Sequence, residues 1–452
     1  MIIPMDSSIV CDSAADLPAR IGKYKVLSRL GEGATSDVFL ATDELVGGQV
    51  AIKRMRSWAL GGPGDQSFRF YAAEAALAGQ LQHPNVVRIV DAVPDPDAPY
   101  LVMEYVPGVT LKHFCRSDRL LPLDQIVELG FKCAMALSYV FRQGLIHRDV
   151  KPANLLAVLD AQGEMTDVKV SDFGSALNLR SDATQVHRVG SLAYMPPEQI
   201  EGGDVDCRAD IYALGAVLYH LIAGRPPFDA PTQMALMHQI YLQAPISLVG
   251  QRSGVTQELN DVILRALAKQ PEARYANWEA FAQALSELVA RQLVPLPRLH
   301  EVKDSERFNL LRALEFFAEF GDVELWEVIR RARWQRFPLN HALYKKGQEG
   351  NTFHIIAQGE VEVFRDGAQV AALGQGTSVG EMAYLAPNPS LRRHSTDIRV
   401  SSPTCTTVSF TPESLGGLSA ECRHRFDHGF IRVLVRRLHA AHEALAHPRR
   451  IM

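Results

Sequence analysis

Apolar and polar residues alternate along residues 24–39 with glycines between them, and residues 49–55 repeat the alternation. A period of two puts successive side chains on opposite faces of an extended chain, so both segments predict antiparallel strands joined by tight turns. After a Gly/Pro-containing loop at 61–64 the apolar positions change to helical spacing over 68–81 and stop before His83 and Pro84. That change predicts a single helix inserted into a sheet-rich front. Beyond Pro122 the period is mostly helical, over 123–142, 210–223, 258–269 and 278–293, with a long polar interruption from 151 to 198. The apolar run at 211–223 is well short of the roughly 20 residues that cross a bilayer. It also holds His220, so it predicts a buried helix and no membrane span.

Pro295 and Pro297 interrupt the pattern within 294–305, a charged stretch with little apolar surface. Proline stops the preceding helix there, as expected of a hinge. Amphipathic helices follow at 307–320 and 322–332. Short alternating runs over 337–410, punctuated by Gly347, Gly350, Gly359, Gly367, Gly374, Gly376 and Gly380, then predict a small antiparallel barrel or jelly roll. A last amphipathic helix covers 420–445. The expected division is an N-terminal extension at 1–22, a first domain at 23–290, a linker at 291–306 and a second domain at 307–452, in an α+β fold class. The length of 452 residues agrees with more than one core.

The net charge of −4 and the lack of a basic run argue against a nucleic-acid partner. Cys11, Cys115, Cys133, Cys207, Cys405 and Cys422 are scattered, without the paired spacing of a zinc site or a disulfide framework. The first twenty residues have neither the basic start nor the long apolar core of a secretory signal. The expected location is therefore the cytoplasm.

The polar interruption carries the chemistry. Phosphoryl transfer asks for a backbone cradle for phosphates, a cation beside them, oxygen ligands for a metal and a carboxylate that orients a hydroxyl. The sequence offers these in order: a glycine-rich turn with Gly31, Gly33, Ser36 and Val38, then Ala51 and Lys53 on the next strand, then Glu74 on the helix. His147-Arg148-Asp149-Val150-Lys151-Pro152-Ala153-Asn154 and Asp172-Phe173-Gly174 complete the set. Over residues 22–290 the chain resembles the bacterial eukaryotic-like serine/threonine branch of the protein kinases, which implies a bilobal fold, ATP and Mg2+ (or Mn2+), and protein substrates.

By that resemblance Asp149 is the base that accepts the hydroxyl proton, Lys151 steadies the transferred phosphate, Asn154 and Asp172 hold the metal ions, and Lys53 pairs with Glu74. Met103 is the gatekeeper, and Glu104 to Val106 form the hinge that meets adenine. Glu198 of Pro196-Pro197-Glu198 pairs with Arg274 as a structural contact. Ser36 replaces the third glycine of the phosphate loop, and Ser191 after Gly190 keeps a hydroxyl near Asp149 or Lys151. Arg148 could meet a phosphate on the activation segment, with Ser181 and Thr184 as the candidate acceptors.

From residue 307 onward, Lys346-Gly347-Gln348-Glu349-Gly350 and the run through Gly359, Gly376, Gly380, Glu381 and Ala383 are similar to the cyclic-nucleotide-binding domain. The resemblance implies cyclic AMP or cyclic GMP as a regulatory ligand. Glu381 would take the ribose 2′-hydroxyl, the Ala383 amide the phosphate, and an arginine the phosphate as well. Basic character assigns that arginine to Arg393, while counting back from the strand at Ile398 lands on His394. The alternatives are a barrel kept for docking or dimerisation and a non-catalytic scaffold. Self-association is expected through autophosphorylation or through the C-terminal domain. No helix-turn-helix follows the last helix, which argues against a transcription regulator.

Overall fold

The computed structural model describes residues 17–33, 36–45, 47–56, 66–95, 98–178, 192–295, 302–385 and 392–446. The alternating front forms a six-stranded antiparallel sheet. Strands β1 (Arg20–Ile21), β2 (Tyr24–Glu32), β3 (Ser36–Asp43) and β4 (Gly48–Met55) are joined by β5 (Ile89–Val93) and β6 (Tyr100–Glu104), in the order β1-β2-β3-β4-β6-β5. Ile21, Tyr24, Phe39, Ala41, Ile52, Tyr100 and Val102 meet in one buried cluster. Burying each large apolar side chain favours folding by about 1.5–3 kcal/mol.

The inserted helix is α1 (Gln66–Ala75), shorter than the 68–81 expected. Past Ala75 the amides of Leu77, Ala78 and Gln80 bond three residues back, and the Gly79 amide turns instead to Ile89 O. The apolar spacing therefore continues after regular helix has ended.

The remainder of the first unit contains β7 (Gly108–Thr110), α2 (Leu123–Arg142), β8 (Leu145–Ile146), β9 (Leu155–Leu159), β10 (Met165–Val170) and β11 (Leu177–Asn178). Helices α3 (Pro197–Glu201), α4 (Cys207–Ala223), α5 (Gln233–Leu242), α6 (Gln257–Ala266) and α7 (Trp278–Ala290) follow. Helix α4 contains the apolar run and is buried along most of its length. Asp206 caps its start by accepting from the Arg208 amide, and Gly224 ends it. Among the described residues no helix is long and apolar enough to cross a membrane. Helix α5 is missing from the sequence expectation because its apolar residues do not share a face: Ile240 is buried while Met234 and Leu242 are 78% and 72% exposed. The five described cysteines are free and buried.

The chain divides after residue 297 into two units. The second begins with α8 (Asp304–Arg312), which ends before the expected 320, and α9 (Asp322–Arg331), which falls within the expected 322–332. Strands β12 (Arg333–Pro338), β13 (Ala342–Tyr344), β14 (Phe353–Gln358), β15 (Val361–Arg365), β16 (Ala368–Leu373) and β17 (Ser378–Val379) come next. The chain closes with α10 (Glu381–Leu385), β18 (Asp397–Val400), β19 (Thr404–Phe410), α11 (Pro412–Gly416) and α12 (Ala420–Ala446).

Two four-stranded antiparallel sheets result, β12-β19-β14-β17 and β13-β18-β15-β16. Tyr344, Ile356, Val361, Val363, Val379, Ile398, Val400 and Cys405, drawn from both sheets, form their shared core. A separate aromatic cluster joins helices to strands: Phe353 packs on Phe410 and Phe430, Phe410 on Phe426, and Phe426 on Phe316, Phe317 and Phe320.

Candidate active site

The register of the first sheet sets the upper wall. Val38 on β3 lies opposite Lys53 on β4, and Ala51 lies opposite Met103 on β6. Gly31 lies in β2, and the Gly33 amide donates to Ser36 O at 2.8 Å. A Cβ on Gly33 would stand 2.9 Å from that oxygen, so the turn needs glycine there. Arg56, which the sequence pattern did not single out, holds this turn from just beyond the end of β4: its guanidinium donates to both Asp37 oxygens (3.0 and 2.7 Å) and to Glu32. Side chains this distant in sequence carry no periodic signal.

Lys53 Nζ donates to Glu74 Oε2 at 2.7 Å and to Asp172 Oδ1 at 2.9 Å. Burial pulls the Lys53 pKa down, but the charges of Asp172 and Glu74 outweigh it and hold the ammonium above its ordinary value. Burial opposes ionisation of Asp172 as well, and Lys53 overcomes it, holding that carboxyl well below the usual range. Glu74 is 2% exposed and also accepts from the Phe173 amide at 3.1 Å. Helix α1, strand β4 and the Asp172-Phe173 turn are thus tied together through one lysine.

Below the sheet, the loop between β8 and β9 carries Asp149, Lys151 and Asn154. Lys151 Nζ donates to Asp149 Oδ2 at 2.7 Å, and Asn154 Nδ2 donates to the same oxygen at 3.0 Å and to Asp149 O at 2.9 Å. Asp149 Oδ1 is buried and, among the described residues, has no hydrogen-bond donor. His147 accepts the Asp149 amide on Nδ1 (3.3 Å), so Nε2 carries the proton and donates to Ser171 O (3.0 Å). Ser171 returns its amide and hydroxyl to Asn154 O at 2.9 and 3.0 Å, which joins this loop to the Asp172 turn.

Arg148 and Asp172 have φ of 62° and 66°, in the left-handed region that residues with a Cβ seldom adopt. Asp210 on α4 compensates at the first: its oxygens accept the His147 amide at 2.7 Å and the Arg148 amide at 2.8 Å. Burial pushes the Asp210 pKa up, and His147 opposes that rise. Sequence reasoning passed over this residue, although an acid opening an otherwise apolar helix was the available signal. Asp210→Ala would leave both buried amides without an acceptor, each costing about 1–3 kcal/mol. The expected result is a lower melting temperature together with reduced phosphoryl transfer, read by thermal denaturation and a transfer assay.

Toward the hinge, Met103 packs beside the buried Val87, Val106 and Leu156. Leu156 on β9 was not anticipated from the sequence. Glu104 turns away to accept Lys169 Nζ at 2.7 Å and the Arg88 amide at 3.0 Å. Arg148 Nε donates to Ser175 O at 2.9 Å. The expected pair of Glu198 and Arg274 is present, bidentate at 2.6 and 2.8 Å. Ser181, Thr184 and Ser191 lie outside the described residues.

In the second unit Gly380 precedes α10, which contains Glu381 and Ala383. Arg393 and His394, the two candidates for the phosphate contact, take different positions. Arg393 is exposed and donates to Gly347 O at 3.2 Å, whereas His394 is 8% exposed and stacks on Tyr344 with ring centroids 3.9 Å apart. The reason is strand alternation. Residues 392–394 pair with 347–350 around the Glu349–Arg393 bridge, so Arg393 and His394 point to opposite sides, and His394 is the buried one of the two.

A sheet-rich lobe over a helical lobe, with a lysine–glutamate pair and two loops of Asp and Asn between them, is the architecture of the protein kinase class. A family model described as the protein kinase domain matches residues 24–287, and the chain belongs to that family. A second model, the cyclic nucleotide-binding domain, matches residues 334–421. The serine/threonine-protein kinases PknB of Mycolicibacterium smegmatis and Mycobacterium leprae are each 34% identical to this chain, across 64% of it and 46% of their own length. A probable serine/threonine-protein kinase of Clostridium acetobutylicum is 34% identical across 58% of this chain and 39% of its own. The chain thus matches less than half the length of these relatives.

Proposed function

We propose that this chain is a protein serine/threonine kinase that uses ATP and a divalent metal, with residues 23–290 as its catalytic domain. The observation that carries the reading is the Asp149 carboxylate. One oxygen is fixed by Lys151 and Asn154, while the other is buried without a donor among the described residues. An acceptor held that way suits a substrate hydroxyl, which would donate to Oδ1 and pass its proton there. Lys151, beside the same carboxylate, supplies positive charge where a phosphoryl group would become more negative. Lys53, kept charged by Asp172 and Glu74, suits the phosphates of a nucleotide.

Asp172 and Asn154 offer a carboxylate and an amide oxygen, the hard donors that Mg2+ or Mn2+ takes, so the residues present fit that group. Bound ATP and metal would supply the transferable phosphoryl group and neutralise its charge. Val38, Ala51, Met103, Val106 and Leu156 would enclose the adenine, and the hinge backbone at Glu104–Val106 would read its edge. Protein Ser/Thr hydroxyls are the proposed substrates. Ser181 and Thr184 are the proposed autophosphorylation sites, and Ser191 is proposed to offer a hydroxyl to Asp149 or Lys151.

Residues 307–452 are proposed to modulate the kinase. Cyclic AMP or cyclic GMP is the ligand that the second family implies. The inward position of His394 in place of Arg393 favours a second reading, in which this unit serves docking or self-association.

Incubation of the full chain with labelled ATP, magnesium and a generic basic protein, followed by acid hydrolysis, tests the activity. Label on phosphoserine and phosphothreonine but not phosphotyrosine is expected, and Lys53→Met should abolish it. Absence of transfer from a folded wild-type chain would instead make the protein a scaffold.

A further inference from the structure

A 3′,5′-cyclic nucleotide carries a phosphodiester that is negative at every physiological pH. Removing that charge from water is unfavourable unless a cation or a set of aimed donors meets it. In this chain the turn where the phosphate would sit is occupied by the protein itself. Gly380 has φ +85°, and a Cβ on it would lie 2.6 Å from Tyr344 Oη and 2.8 Å from the ring, so the phenol rests directly on the backbone of the turn. Tyr344 Oη donates to Thr352 O at 2.8 Å, which anchors the ring in that place.

His394 stacks on Tyr344 with ring centroids 3.9 Å apart, and His354 meets the same ring edge-on at 5.4 Å. His354 is in turn held by Thr407 Oγ1, 2.9 Å from Nδ1. The packing is close on every side, since a Cβ on Gly350 would stand 2.3 Å from His394 Nε2.

This group offers a phosphate no positive charge. Burial pushes His354 down to about 4, helped by His394 and Arg333, and burial lowers His394 as well. Both rings are therefore neutral near pH 7. Tyr344 is held protonated by burial and by the neighbouring carboxylate of Glu381. Glu381 itself is 2% exposed. The nearby arginine, Arg393, is turned outward onto Gly347 O.

We propose that the barrel of this chain does not bind cyclic nucleotides, because the stacked Tyr344–His394 pair is a built-in occupant of the phosphate position and leaves no buried cation there among the described residues. The unit then works without a nucleotide signal. This inference rests on the barrel alone and is independent of the kinase reading.

The test is isothermal titration of cyclic AMP and cyclic GMP into the full-length chain, with a saturating non-hydrolysable ATP analogue and magnesium added so that the kinase site is filled. Titration of the analogue by itself reports separately on the kinase reading. For the wild type, no binding is expected up to about 1 mM, against micromolar affinity for a site with a buried arginine, a loss of at least about 100-fold. A wild-type Kd below about 10 μM overturns the proposal, whatever the variants do. The double variant Tyr344→Ala/His394→Arg, checked for folding by circular dichroism, should gain at least about tenfold in affinity. A folded double variant that gains nothing overturns the assignment of the stack as the blocking group.

Discussion

Asp149→Asn should slow phosphoryl transfer by about 10²–10⁴-fold, the range that a positioned general base contributes, and leave nucleotide affinity unchanged. The substitution keeps the shape of the side chain and replaces one carboxylate oxygen with an amide nitrogen. Two donors already converge on Oδ2, from Lys151 and Asn154, so the amide oxygen will stay on that side and the NH2 will replace Oδ1. A donor then faces the substrate hydroxyl, and no acceptor remains for its proton. The nucleotide would contact other elements, β3, β4 and the hinge, which the change does not touch. Single-turnover transfer and a nucleotide titration measure the two effects separately. Transfer at the wild-type rate would mean that Asp149 is not the base.

Arg274→Ala should cost the first unit a large part of its stability. The Arg274 side chain is fully buried. It donates to both Glu198 oxygens and to the carbonyls of Ala268, Arg208 and Lys269, and it lies 4.9 Å from the Tyr212 ring. Truncation leaves a carboxylate and three carbonyls without these donors, and removing one partner of a buried pair costs about 3–5 kcal/mol. For a unit of this size each kcal/mol moves the melting temperature by about 2–4 °C, so the first calorimetric transition should fall by about 10 °C. Arg274→Lys should recover part of the loss, because one ammonium cannot reproduce the bidentate contact. A fall of only a degree or two would show that Glu198 finds another cation.

What could be read from the sequence was local or carried by spacing. Helix α2 was expected at 123–142 and forms over Leu123–Arg142, because its apolar face, capped by Pro122, repeats at the helical period. The order of Lys53, Glu74, Asp149, Lys151, Asn154 and Asp172 allowed a site to be drawn before any contact was known, and the structure brings those side chains into two linked hydrogen-bonded groups. Contacts between distant segments left no periodic trace. Asp210 reaches back to a loop more than sixty residues earlier (|i−j| of 63 and 62), and Arg56 reaches the phosphate turn across the sheet. The choice between Arg393 and His394 hinged on a single residue of register. Basic character favoured arginine, whereas the pairing with 347–350 turns Arg393 and His394 to opposite sides and buries the histidine.

The aromatic cluster of the second unit separates two kinds of boundary. The stretch recognised as a family runs over residues 334–421, but Phe353 and Phe410, buried at its centre, are covered by rings from outside it. Phe426 and Phe430 press on them from α12, and Phe316, Phe317 and Phe320 close over Phe426 from before α9. A fragment cut at the family limits would keep both sheets and lose the rings that keep them dry. The inherited module and the foldable body therefore have different ends, and shuffling this barrel onto another protein requires carrying its flanking helices with it.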